Sequence, residues 1–263
     1  MPYLKINGEN LYYEIKGEGI PIVFIHPPLL TSSNFIYQLE HLSNKYKIIT
    51  FDIRGHGKSD YSSLPIDYSL IVEDIILLLN QLKLKKAFIC GYSTGGSITL
   101  EFLQRYSERA FGGIVISGMS EVKDYYLKLR ILTAVTLSSK KTIPLLTYAI
   151  TWGNTNTYQC FKKLRNEAVK GDARNIKQYF QYSLEYNCTS NLHNISLPVL
   201  LIYGDQDKAF HQYANILNKN LPKNDLIFLE DEYHQIPTKA PQKLHGVIQR
   251  FIQSYTKENP FMV

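Results

Sequence analysis

A serine held at a sharp strand-to-helix turn can have its hydroxyl lifted clear of a sheet and offered as a nucleophile. Gly91-Tyr92-Ser93-Thr94-Gly95-Gly96 has the G-x-S-x-G form of such an elbow. It follows the apolar run Ala87-Phe88-Ile89-Cys90 and precedes a helical pattern, which is the context the elbow requires. The residues two before and two after the serine approach closely, so Gly91 and Gly95 are expected to be sterically obligatory. The helix starting beyond Ser93 favours negative charge developing near its N-terminus. A serine hydroxyl still needs a base. Histidines after Ser93 are His193, His211, His234 and His245. His234 follows the apolar run 226–229, which places it on a loop at the C-terminal edge of a sheet, where ligands collect in open α/β folds. His193 falls in a connection, His211 on a helix, and His245 on the surface of the last helix. A carboxylate that fixes the imidazole tautomer and stabilises the imidazolium is available in Gly204-Asp205-Gln206-Asp207, where Asp205 and Asp207 compete.

The elements that must position these groups are legible as runs and stripes. Residues 22–25, 48–51, 87–90, 114–116, 199–203 and 226–229 are continuous apolar runs of strand length. Strands apolar on both faces belong inside a sheet covered by helices on both sides. Helical stripes lie over 68–82, 94–106 and 241–255, with Pro241 suited to a first turn. This alternation predicts a mostly parallel central sheet flanked by helices. Residues 3–16 read as a hairpin turning at Asn7-Gly8-Glu9-Asn10. Between 120 and 191 the alternation stops, giving an aromatic-rich stretch of about four helices, broken at Gly153-Asn154 and Gly171-Asp172. The expected organisation is a core of 1–119 and 192–263 forming one catalytic domain, with 120–191 inserted as a helical lid.

Bulk properties narrow the function classes. The 263 residues are 44% hydrophobic and 20% charged, so a substantial core is expected and global disorder is not. The net charge is +6. The basic pairs Lys85-Lys86, Lys140-Lys141 and Lys162-Lys163 are isolated, and no run of five appears, so nucleic acid is not the expected partner. Scattered charge serves solubility, with a weak preference for anionic surfaces left open. Three cysteines without CxxC spacing predict neither a disulfide framework nor a zinc site. Cys90 is expected in the core, and a Cys160–Cys188 bridge is left open. There is no H-E-x-x-H, no clustered His and Cys, and no phosphate-cradling glycine loop. The expected chemistry is therefore cofactor-free and metal-free. No signal-peptide pattern and no run of 18 apolar residues is seen, which gives a cytoplasmic protein without a membrane span as the expectation.

Taken with Phe51-Asp52-Ile53-Arg54-Gly55-His56-Gly57-Lys58-Ser59-Asp60, these motifs resemble the α/β-hydrolase superfamily over essentially the whole chain. The resemblance implies the order serine, acid, histidine. It selects Asp207, three residues after Gly204, and leaves Asp205 to structure the loop. It makes Ser93, Asp207 and His234 the catalytic set, and assigns Arg54, His56 and Asp60 to shaping a turn. It also implies an oxyanion hole from the Thr94 N–H and a second N–H after the third strand, where the family usually has His-Gly-x. Here the segment is His26-Pro27-Pro28-Leu29. Pro28 occupies the donor position and has no N–H, so the Leu29 N–H or the Thr31 side chain is the expected substitute.

The expected activity is hydrolysis of a small or medium apolar carboxylic ester, lactones included, through an acyl-enzyme. Tyr92 and Trp152 are expected at the pocket. Amidase, aminopeptidase or C–C hydrolase chemistry with the same triad is the alternative. A reading of another class is a small-molecule-binding or signalling protein on this scaffold, with slow turnover, which the Pro28 departure favours. Neither the substrate nor the oligomeric state is encoded legibly.

Overall fold

The computed structural model describes residues 3–6 and 8–258. The chain opens with β1 (Tyr3–Ile6) and β2 (Glu9–Lys16), paired antiparallel with Tyr3 opposite Tyr12. The turn is tighter than the sequence suggests, because Glu9 and Asn10 already belong to β2. Asn7 lies outside the described residues. Gly8 sits at φ 92°, a conformation that favours glycine.

Then follow β3 (Pro21–Ile25), α1 (Ile36–His41), β4 (Lys47–Phe51), α2 (Tyr68–Gln81), β5 (Ala87–Tyr92), α3 (Thr94–Arg105) and β6 (Ala110–Ile116). Four helices come next: α4 (Tyr125–Leu137), α5 (Ile143–Gly153), α6 (Tyr158–Ala168) and α7 (Ala173–Glu185). The chain closes with β7 (Val199–Gly204), α8 (Lys208–Asn220), β8 (Asn224–Leu229), α9 (Ile236–Lys239) and α10 (Pro241–Glu258). The eight strands form one sheet in the order β1-β2-β4-β3-β5-β6-β7-β8. β1–β2 and β2–β4 pair antiparallel, and every other pair is parallel.

Strand periodicity divides the core in two. Val23, Ile25, Ile49 and Ile89 face one side, where they meet Ile71, Ile75 and Leu78 of α2, Ile98 and Phe102 of α3, and Phe210 and Leu217 of α8. Ile22, Phe24, Ile48 and Phe88 face the other, against Leu244, Ile248 and Ile252 of α10. Both faces are covered, which is why these strands read as unbroken apolar runs.

Three of the four helices between β6 and β7 are started by side-chain caps, while α5 follows Thr142 with no side-chain cap and has Pro144 in its first turn. Asp124 accepts from the Leu127 N–H, Thr157 from Cys160, and Asp172 from Arg174 and Asn175. A bridge between Glu121 and Asn187 brings the two ends of this stretch together. All three cysteines are buried and free, so the Cys160–Cys188 bridge does not form. His245 departs from expectation too. It is buried, with Nε2 3.2 Å from Gln38 Nε2, because α1 packs over α10 on this side. Among the described residues, no helix is long and apolar enough to cross a membrane.

Candidate active site

The junction of β5 and α3 is as tight as the sequence predicts. A Cβ on Gly91 would lie 1.9 Å from the Gly95 carbonyl oxygen, and one on Gly95 would lie 2.2 Å from that of Ile25. Both obstacles are backbone and cannot rotate away. Ser93, between them, takes φ 55° and ψ −121°, a conformation that a residue with a Cβ adopts only under strain. The Ser93 N–H donates to the Ile116 carbonyl at 2.8 Å, which ties the elbow to β6.

Two loops at the ends of β7 and β8 bring up the partners. A Cβ on Gly204 would lie 2.1 Å from the Glu232 carbonyl oxygen, so glycine there lets the loops touch. The Asp205 N–H donates to Leu229 and the Gln206 N–H to Glu232, at 3.0 and 2.9 Å. The Ser117 hydroxyl donates to the His234 carbonyl at 3.1 Å. With the loops locked, His234 Nδ1 is 2.8 Å from Asp207 Oδ2 and Nε2 is 3.1 Å from Ser93 Oγ. An ionised carboxylate only accepts, so Nδ1 carries the proton and Nε2 is left to accept from the serine. Asp207 and His234 keep only 12% and 18% side-chain exposure, so water competes weakly for this pair. Phe210 packs on the imidazole with ring centroids 4.2 Å apart. Asp205 plays no part in this chain of bonds, and His211 points instead at the Gly204 carbonyl.

A cavity of about 430 Å³ opens over Ser93, within the size range of small-molecule sites. Its walls are chiefly apolar, from residues such as Met119, Leu127, Ile131, Leu146, Phe180 and Phe210. Arg130 is the one Lys or Arg lining it, and no Asp or Glu does so among the described residues. Tyr92 lines the cavity, and its hydroxyl donates to Asn154 Oδ1 at 2.9 Å. Burial pushes that phenol well above its ordinary value, so it stays a neutral donor. Thr94 and Pro28 also line the cavity. Trp152 does not: it stands on the outer surface at 57% exposure, stacked with Tyr148. Leu29 is fully buried and is not among the lining residues. Its side chain packs with Ile131 and Phe180, and its φ is 71°.

The turn after β4 is structural in every contact. Arg54 makes a two-pronged pair with Asp74, at 2.6 and 2.7 Å, and a further bond to Glu9. Asp60 accepts from both the backbone and side chain of Asn10 at 2.9 Å. His56 Nδ1 donates to the Arg54 carbonyl at 3.0 Å, and burial pushes its imidazolium pKa down to about 4. Asn154, Ser117 and Arg130 were not singled out for the site by sequence reasoning. Asn154 registered only as a helix break, and nothing local pairs it with Tyr92, 62 residues earlier.

Comparison with known proteins follows the same outline. Residues 29–238 match the family model described as serine aminopeptidase, S33. The chain is 23% identical to the AB hydrolase superfamily protein YisY of Bacillus subtilis, over 93% of this chain and 96% of that one. An esterase from Exiguobacterium antarcticum superposes with a TM-score of 0.85 at 21% identity, covering 94% of this chain and 97% of the other. The enol-lactonase of Burkholderia xenovorans LB400 superposes with a TM-score of 0.84 at 20% identity, covering 96% and 100%.

Proposed function

The chain belongs to the serine aminopeptidase S33 family of α/β-hydrolases, and from that premise we propose that it is a serine esterase acting through an acyl-enzyme on small or medium apolar carboxylic esters, lactones included. The observation that carries this reading is the unbroken line from Asp207 through His234 to Ser93, standing at the floor of an apolar cavity. In it, His234 Nε2 takes the Ser93 proton as Oγ attacks the ester carbonyl, and returns it to the departing alkoxide. A water activated by the same nitrogen then cleaves the acyl-serine. Asp207 holds the tautomer and offsets the charge on the imidazolium. The Thr94 N–H, at the start of α3, supplies one oxyanion donor. Leu29 supplies the second: a left-handed leucine is strained, and turning the peptide at this point lets the N–H after Pro28 do what Pro28 cannot. The helices over 120–191 act as a lid whose inner side forms the acyl pocket.

The cavity speaks against the peptidase chemistry in the family's description. An aminopeptidase must hold a substrate ammonium, and burying one without a counter-charge is costly. This cavity has no lining carboxylate among the described residues, and the one Lys or Arg that lines it, Arg130, carries a positive charge. The test compares p-nitrophenyl butyrate with an amino-acid p-nitroanilide, using wild type and Ser93→Ala. Ester turnover that vanishes in the variant, with anilide turnover at least 100-fold lower than ester turnover (about 2.7 kcal/mol), is expected. Faster cleavage of the anilide would overturn the ester assignment.

A further inference from the structure

The net positive charge of this protein is concentrated in one stretch, although lysines occur along the whole chain. Residues 123–163 carry seven Lys or Arg and one Asp. The rest of the chain carries 22 of each sign, so the whole +6 excess belongs to that stretch. Half of the exposed large apolar side chains among the described residues fall in the same stretch.

Helix geometry shows how they are arranged. α4 buries Ile131 and Ala134, yet Tyr125, Leu129 and Leu132, at i, i+4 and i+7, form a second apolar stripe that is exposed. α5 buries Leu146, yet Leu145, Tyr148 and Trp152, at i, i+3 and i+7, are exposed. A surface helix ordinarily has a single apolar stripe, facing the core. Here two neighbouring helices each carry a second one facing out, and α5 also packs against α6, where Tyr158 is 72% exposed. Lys128, Lys140 and Lys141 are exposed among these positions, with no acidic partner among the described residues. Leu129 is exposed and also lines the cavity over Ser93, so the apolar outer surface runs into the mouth of the pocket.

We infer that the outer face of α4–α6 is a docking surface for an anionic lipid bilayer. Tyrosine, tryptophan and leucine side chains settle at the headgroup boundary, while lysine stems lie along it with their ammonium groups among lipid phosphates. Charge excludes a second copy of this face as the occupant, since two such basic surfaces would repel. A basic surface for nucleic acid would not need leucines pointing outward. Docking would set the pocket mouth against the membrane, where an apolar ester partitions. The binding claim stands whether or not the esterase reading does.

Trp152 is the only tryptophan of the chain and lies on this face, so its emission reports docking directly. Vesicles of phosphatidylglycerol with phosphatidylcholine should shift the emission to the blue and sediment the protein. Pure phosphatidylcholine vesicles should bind at least about tenfold more weakly, since each basic residue contributes roughly fivefold near an anionic surface. Lys140→Glu/Lys141→Glu should lower partitioning by at least about tenfold. Leu132→Glu/Leu145→Glu, at exposed positions outside the cavity, should remove the emission shift and leave hydrolysis of a soluble ester unchanged. The inference is overturned by no sedimentation with anionic vesicles at low salt, by equal binding to both vesicle types, or by binding without an emission shift. A blue shift that grows with protein concentration in the absence of vesicles also overturns it, because the face would then be a self-association surface.

Discussion

Ser93 is held where a Cβ is strained, and that has a cost in stability that can be measured. At φ 55° and ψ −121° the backbone lies in a region open to glycine and sparsely populated by other residues. Such a residue costs about 1–3 kcal/mol, held in place by its surroundings. Ser93→Ala and Ser93→Gly both lose the 3.1 Å contact with His234, so the comparison between them cancels it. The glycine variant alone sheds the strain, while its freer unfolded chain returns about 0.4–1 kcal/mol. Ser93→Gly should therefore be more stable than Ser93→Ala by about 0.5–2 kcal/mol. At about 2–4 °C per kcal/mol for domains of nearly this size, the difference in Tm is a few degrees. Urea titration and calorimetry read it independently of activity, which both variants should lack. If Ser93→Gly proves equal to or less stable than Ser93→Ala, the elbow stores no strain at the serine and the steric account of the turn fails.

Two further outcomes follow from the geometry. Asp207→Asn keeps the shape next to His234 but leaves the imidazole free to adopt the wrong tautomer, so kcat for the ester should fall by about 10⁴ with KM little changed; a loss below tenfold would remove Asp207 from its role. His56 is fully buried with its pKa pushed from 6.5 down to about 4 by burial, so the unfolded chain binds its proton first. Stability from keeping it neutral is complete above pH 6.5 and is lost as pH falls from there through about 4, up to about 3 kcal/mol. Burial also lowers the imidazolium pKa of His26 and His245, so urea titrations between pH 7 and 4 should show a combined slope that His56→Asn reduces without abolishing it; an unchanged slope in the variant would refute the assignment.

The core fold was legible because its signals are local. Doubly buried strands wrote themselves as apolar runs, and α10 as a stripe from Leu244 to Ile252. The elbow was legible for the same reason: steric demands at Gly91 and Gly95 act within five residues. Asp207 was separated from Asp205 only by resemblance, because both sit in one loop and the choice depends on where His234 arrives from β8. What escaped depends on distant packing. His245 looked like a surface residue because nothing near it in sequence announces Gln38, 207 positions away. Trp152 was expected at the pocket on residue type alone. The face that α5 turns inward is decided by Leu146 and its neighbours, and it leaves the indole outside.

The central claim is that Ser93 is a nucleophile activated by His234. A fluorophosphonate probe tests it without any knowledge of the natural acyl group. The probe should add once, on the peptide containing Ser93 when mapped by mass spectrometry, and His234→Ala should lose the labelling while its circular dichroism stays native. Labelling at another residue, or undiminished labelling of Ser93 without His234, would contradict the account.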